Sequence, residues 1–519
     1  MTTTIVPAHA GRREWIGLGV LTLACLLYSM DLTVLHLAVP QLSAELKPTS
    51  TQLLWIVDIY GFMVAGALIT MGTLGDRIGR RRLLLFGAAA FGVVSVFAAF
   101  ASTPTALIAS RAMMGLAGAT IAPATLSLIF NMFPDPQQRS RAVGLWITAF
   151  SAGGAIGPVV GGFLLQHFWW GSVFLMAVPV MLLLLILGPR VLPEYRDPNA
   201  GRLDLLSAGM SLVAVLSFVF GLKELAIHGF QTQAVGLLVV GIVLGGLFWR
   251  RQKLLDDPLI DITMFRNKVF NVALMTNLFS IFVAFGYFLF VAQYLQLVLG
   301  LSPQVAGLWS LPSAIGFIVG ANVSPRFIHK VRPAAVIAPA LALTAVGLWI
   351  FTQAGTEQGL GLAVAGSMIL SLALSPVFNL TTELIVGGAP PEKAGAASGI
   401  SETGAELGGA LGIAILGSLG TAVYRAALSS DLPAGMTAAD EAASLDSLGA
   451  ATEIAVGLPA QVGDALLVAA KSAFVSGLHI TTGLTAVVAL AVAGVVAILL
   501  RGVPARDVDT AEATAHPVH

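Results

Sequence analysis

The sequence predicts an all-α polytopic membrane protein with fourteen transmembrane helices. Three observations predict it: an excess of apolar residues, the number of long apolar runs, and the side on which the basic residues fall. Of 519 residues, 57% are hydrophobic and only 10% are charged, where a soluble domain carries roughly 25% charged residues. A water-soluble core cannot absorb that excess. A bilayer can, because about 20 mostly apolar residues in a helix satisfy their own backbone across roughly 30 Å of hydrocarbon. The 56 glycines fit the same reading, since small residues let membrane helices pack closely.

The apolar runs lie near 15–39, 52–72, 82–101, 105–131, 141–165, 171–189, 205–222, 233–249, 269–298, 304–325, 334–353, 358–382, 395–423 and 475–500. The first is too long for a signal-peptide core and lacks a small-residue cleavage pattern, so it is expected to remain as a helix. With the N-terminus inside, about 22 of the 27 Lys and Arg fall in cytosolic segments, as the retention of positive charge requires. Lys47, Lys223, Arg425 and Lys471 fall outside, and Arg111 lies within a span. One missed helix would scramble that alternation, so both termini are placed in the cytosol.

This divides the chain into a cytosolic N-terminus (1–14), a first six-helix half (15–190), an inserted helix pair (191–250), a charged cytosolic linker (251–268), a second six-helix half (269–500) and a polar tail (501–519). Within the second half, residues 424–474 form an outer loop with Asp431, Asp440, Glu441, Asp446, Glu453 and Asp464. Breakers at Gly457 and Pro459 suggest two short amphipathic helices joined there. Formal net charge is zero, and nothing points to a nucleic-acid partner. The lone Cys25 excludes an intramolecular disulfide. The eight His form no metal-ligand or nucleophile–base cluster, so neither an enzyme nor a resident metal is expected.

Three motifs stand out. The second span runs into Gly72-Thr73-Leu74-Gly75-Asp76-Arg77-Ile78-Gly79-Arg80-Arg81-Arg82. Its glycines permit a tight turn and close helix approach, and Asp76 can accept from arginines or from a helix N-terminus, latching two halves together. Arg111-Ala112-Met113-Met114-Gly115 puts a guanidinium in the fourth span, where it stays charged and needs a polar partner unless it snorkels to the outer boundary. In the fifth span, Gly153-Gly154-Ala155-Ile156-Gly157-Pro158-Val159-Val160-Gly161-Gly162 combines a bend at Pro158 with glycines against which a neighbour can pack.

These motifs resemble the loop, fourth-helix and antiporter signatures of the major facilitator superfamily. The runs Asp31-Leu32-Thr33-Val34-Leu35-His36-Leu37-Ala38-Val39-Pro40 and Trp55-Ile56-Val57-Asp58-Ile59-Tyr60, with the span count, are similar to its fourteen-helix drug:proton antiporter branch. Within that branch they look closest to bacterial exporters of quaternary ammonium compounds and dyes. The resemblance covers about residues 12–500. It implies a monomer in a bacterial inner membrane, among membrane lipids, using the proton gradient and no cofactor. It also implies gating by Gly72, Gly75, Asp76, Arg77, Gly79 and Arg80. The second half carries a weaker echo, Gly320 followed by Arg326, Lys330 and Arg332, with no acid to match Asp76.

Four carboxylates remain inside the spans: Asp31, Asp58, Glu402 and Glu406. A charge at the helix centre costs about 2.5 to 3.5 kcal/mol, so such groups generally serve a pathway, a relay or a bound cation. Glu402 and Glu406 are four apart, on one helix face, and like charges so placed titrate as a coupled pair. Tyr28, Trp55, Tyr60, Tyr287 and Trp309 are candidates to line a cavity, where aromatic faces and carboxylates together suit lipophilic cations; each can equally serve as packing or as an interfacial anchor. His36 reads as a polar cap at a helix end. The expected activity is export of lipophilic cationic drugs by competition with protons at Asp31, Asp58, Glu402 and Glu406, with Arg111 nearby. An exporter of an endogenous lipid or metabolite would share every motif. The tenth span has no acid, so monovalent cations are expected to move better than divalent ones.

Overall fold

The computed structural model describes residues 9–48, 50–196, 204–228, 231–255, 258–326, 331–357 and 359–504. The chain ends 1–8 and 505–519 and Lys330 lie outside the described residues, as do the side chains of His36, Pro158 and Lys223. Eighteen α-helices follow one another. The first eight are α1 (Arg12–Leu46), α2 (Ser50–Ile78), α3 (Arg80–Ala99), α4 (Pro104–Gly118), α5 (Ile121–Met132), α6 (Pro136–His167), α7 (Ser172–Leu175) and α8 (Ala177–Val191). Next come α9 (Leu205–His228), α10 (Thr232–Gln252), α11 (Lys268–Gln293), α12 (Pro303–Val323), α13 (Pro333–Phe351) and α14 (Leu360–Val386). The last are α15 (Ala394–Ser430), α16 (Ala438–Ser444), α17 (Leu448–Gly457) and α18 (Ala460–Leu499).

Among the described residues thirteen helical stretches are long and apolar enough to cross a bilayer, and the bent α6 makes a fourteenth. Each apolar run of the sequence has its helix. The interruptions follow from proline chemistry. Pro123 offers no N–H to the carbonyl of Ala119, and the fourth span breaks there into α4 and α5. Pro158 likewise offers none to Gly154, and α6 bends by 41° between its Pro136–Gly154 and Val159–His167 parts.

In the first half α1 packs along α6 and α2 along α4; in the second, α11 packs along α15 and α12 along α14. The halves meet where α2 crosses α15 and where α6 crosses α12, two equivalent crossings. The inserted pair stands to one side. Its α9 lies against both α2 and α15, while α10 packs chiefly on α9.

The 424–474 segment differs from expectation. Both flanking helices extend into it, α15 to Ser430 and α18 from Ala460, and the short helices α16 and α17 are joined by residues 445–447. The Gly457–Pro459 break instead separates α17 from α18. The reason is packing: Leu448, Ala451 and Ala455 bury themselves against the α18 extension, whose Leu466 and Ala470 are also buried. A Cβ at Gly463 would come 2.5 Å from the Ala455 carbonyl oxygen. Tyr424 donates to the Ser444 carbonyl at 2.8 Å and closes the unit.

Candidate transport site

Asp31 sits near the middle of α1 and Arg111 two turns into α4. The Arg111 Nη1 donates to Asp31 Oδ2 at 2.7 Å and its Nε to the Ile56 carbonyl at 3.3 Å. The guanidinium lies over the Tyr60 ring at 4.6 Å and near that of Phe174 at 5.9 Å. Arg111 is thus a buried, partnered cation rather than a snorkelling one. Gly115 makes the approach possible, since a Cβ there would lie 2.6 Å from the Tyr60 carbonyl oxygen. Asp31 is therefore an intramembrane acid held by a buried arginine.

Glu402 and Glu406 lie two and three turns into α15, on the opposite half. Both are close enough to the Tyr28 phenol to act on it electrostatically, and Glu406 is also within range of Tyr60. Tyr28 and Tyr60 touch each other with ring centroids 6.1 Å apart, and Phe150 closes on Tyr28 at 5.6 Å. Trp146 stacks on Phe150 at 4.6 Å and donates to Thr125, whose hydroxyl also meets Cys25. A cluster of rings from α1, α2 and α6 thus adjoins the Asp31–Arg111 pair through Tyr60. Trp146 and Phe150 were not singled out from sequence; their spacing of four on the glycine-rich sixth helix was the available signal. Asp58 is half-buried on α2.

The remaining candidate aromatics go elsewhere. Trp55 packs on Phe62 and on Phe220 of α9, so it faces the inserted pair. Tyr287 hydrogen-bonds Ser367 and packs edge-on to Phe351 inside the second half. Trp309 borders a narrow cleft, with about 10 Å³ of free space, together with Phe288, Leu295 and Ser313. These three lie apart from the Tyr28–Tyr60 pair, in the packing and anchoring places that the sequence also left open to them.

At the end of the bundle where α2 meets α3, Asp76 accepts from Arg80 Nε at 2.9 Å and from the Gly395 and Ala396 amides at 3.0 and 2.9 Å. Those amides belong to the first turn of α15, where unpaired N–H groups and the helix dipole favour a carboxylate. Gly72 permits the crossing: a Cβ would sit 2.3 Å from the Gly395 carbonyl oxygen. Gly75 is less tightly placed, with its nearest neighbour, Leu83, at 3.2 Å. Gly79 has φ +111°, a conformation that favours glycine, and faces Glu194. Arg77 is in the last turn of α2. At the equivalent crossing the described contacts include neutral groups. Asn322 donates to Thr148 at 3.0 Å, and Gly144 lies against the Ala321 carbonyl.

The antiporter-like run is a packing stripe. Cβ atoms at Gly153, Gly157 and Gly161 would lie 2.3, 2.3 and 2.7 Å from Leu26 O, Thr33 Oγ1 and Val34 Cγ1 of α1. Gly162 faces open space. The second half repeats the device: Gly408 and Gly412 of α15 press on the Leu278 and Phe282 carbonyls of α11 at 2.4 and 2.3 Å. The equal spacing of Gly404, Gly408 and Gly412 announces this repeat, and the sequence reading passed over it.

Two halves built from matching helix pairs, crossing at two equivalent places around buried charges, form the architecture of a polytopic membrane transporter. The chain belongs to the Major Facilitator Superfamily, whose family model matches residues 21–413; it is a transporter and not an enzyme. It is 41% identical over 500 residues to the multidrug efflux pump LfrA of Mycolicibacterium smegmatis, covering 96% of this chain and 98% of LfrA. It is 37% identical over 471 residues to the methyl viologen resistance protein SmvA of Salmonella typhimurium, covering 89% and 93%. The crystal structure of a bacterial homolog of the human lysosomal transporter Spinster, inward-facing and unoccupied, matches with TM-score 0.56 and 19% identity over 95% of this chain and 98% of that one.

Proposed function

We propose that the chain exports lipophilic cations, such as quaternary ammonium compounds and dyes, from the bacterial cytosol in exchange for protons. The observation that carries this reading is the Glu402/Glu406 pair on α15, within electrostatic range of the Tyr28–Tyr60 aromatic pair of the other half. Carboxylates attract the cation, and aromatic faces accept its flat or apolar surface. A carboxylate cannot fully serve a proton and a cation at once, so each ligand lowers the affinity of the other. Inward proton movement yields about 2.3 kcal/mol per charge per 100 mV. A monovalent cation leaving the cell therefore needs at least two protons to gain from the potential.

In this reading residues 15–190 and 269–500 are the two rocking halves, the basic face with both termini is cytosolic, and the Asp76 contacts close that face. The protein works as a monomer among inner-membrane lipids, without a cofactor. The multidrug pump among its relatives supports this substrate class over an endogenous lipid or metabolite. The test is a panel of dyes and quaternary ammonium compounds in inverted vesicles energised by a pH gradient. Methyl viologen, named in the Salmonella relative, is a planar dication and belongs in that panel. Because α12 carries no acid, monovalent cations should move faster than matched dications. A panel with no movement above that of empty vesicles contradicts the proposal.

A further inference from the structure

The inserted helix pair enters and leaves the bundle beside the Asp76 crossing, and both flanking segments bind it. On the entering side, residues 192–196 run over the α2–α3 turn. The Arg80 amide donates to the Tyr195 carbonyl at 3.1 Å, and the Arg80 guanidinium lies 4.8 Å over the Tyr195 ring. The Arg81 amide donates to Glu194 at 3.2 Å, and the Tyr195 hydroxyl reaches Glu392 of the other half at 3.5 Å.

On the leaving side, Gln252 ends α10 with its side chain buried. It accepts from the Leu259 amide at 2.7 Å and donates to Ser207 of α9 at 2.8 Å. The Leu259 carbonyl in turn accepts from Thr73 of α2 at 2.9 Å, inside the gating loop motif. Two residues later Asp261 pairs with Lys393, which immediately precedes α15. The base of the pair is closed by Asp204 and Arg251 at 2.7 Å.

We infer that the inserted pair clamps the α2–α15 crossing: its flanking segments hold Arg80, Thr73, Glu392 and Lys393 around Asp76, so the crossing opens only when these contacts break. The clamp spans both halves. Thr73 and Arg80 belong to the first and Glu392 and Lys393 to the second, so relative movement must stretch or break the hydrogen bonds between them. Tyr195, Gln252 and Asp261 are then positioning residues for the transport cycle, acting through the gate and not on the substrate. Their buried partners make the clamp specific: Gln252 is 2% exposed, and Leu259 and Ile260, which it holds, are 1% and 5% exposed.

The test is the distance between spin labels at Arg141→Cys and Arg332→Cys, exposed positions on the two halves, in a full-length Cys25→Ser background in lipid nanodiscs. No substrate or proton gradient is applied, so the result does not depend on the proposed chemistry. Gln252→Ala, Asp261→Asn and Tyr195→Ala should each raise the ratio of long to short distances, by about fivefold for a lost net hydrogen bond. Asp261→Glu should restore the parental ratio. If Gln252→Ala does not fold, the nearly isosteric Thr73→Val removes the next link of the same chain, the hydrogen bond to the Leu259 carbonyl, and should raise the ratio likewise. Folded variants with the parental distance distribution would overturn the clamp.

Discussion

Arg111 of α4 donates to Asp31 of α1 at 2.7 Å, with the two side chains 2% and 6% exposed. Removing one partner of a buried pair strands the other charge, at a cost of about 3–5 kcal/mol. Asp31→Asn should therefore lower the thermal midpoint of the purified protein and abolish transport. Arg111→Lys should do nearly the same, because an ammonium cannot both reach Asp31 and the Ile56 carbonyl and keep its plane over Tyr60. Thermal unfolding followed by dye efflux measures both effects, and wild-type behaviour of either variant would contradict this role.

The glycine stripes make a prediction with its own control. Gly157→Val drives a side chain into Thr33 and Met30 of α1, and overpacking of this kind costs about 1–3 kcal/mol. Gly412→Val should do the same against Phe282. Gly162→Ala should be silent, since nothing lies within 4 Å of its Cβ position. Yields of monodisperse protein and thermal midpoints should fall for both valine variants and stay at the parental level for Gly162→Ala.

The Asp261–Lys393 pair lies outside the spans and should show a defined pH dependence. Burial alone would raise the Asp261 carboxyl, but hydrogen bonds from Lys393 and Thr263 outweigh it and hold the group below its ordinary value. A carboxyl lowered on folding stabilises the protein fully above its unfolded pKa, about 3.9, and loses that contribution as the pH falls through the folded value. The difference in thermal midpoint between the parent and Asp261→Asn should thus be constant from about pH 8 to 5 and vanish only below about 4. A difference that grows toward low pH would contradict the pairing.

The spans, their order and the bend at Pro158 were legible in the sequence, because hydropathy and proline chemistry act locally. So was the readiness of Asp76 to accept from an arginine or a helix N-terminus, since its neighbours Arg80 and Gly79 lie in the same loop. The identity of that N-terminus, Gly395 and Ala396 of α15, was not, because it depends on how two distant helices cross. The same limit explains the aromatics. Tyr28 and Tyr60 come within electrostatic range of the α15 acids only through the docking of the halves, and Trp55 packs instead on Phe220 of the inserted pair. The hinge of the 424–474 segment was not legible, because Gly457 and Pro459 mark a break without saying which helices it divides. The Gly404, Gly408 and Gly412 stripe was legible as a spacing of four on the same helix as the two glutamates, on another face.

Proton release on substrate addition tests the central claim most directly. Purified protein in weakly buffered detergent solution receives a quaternary ammonium dye, while binding is followed by the dye's fluorescence. Competition at Glu402 and Glu406 predicts that the parent releases protons as it binds. The Glu402→Gln/Glu406→Gln variant should release none beyond a buffer blank. A double variant that still binds the dye and releases as many protons as the parent would contradict the account.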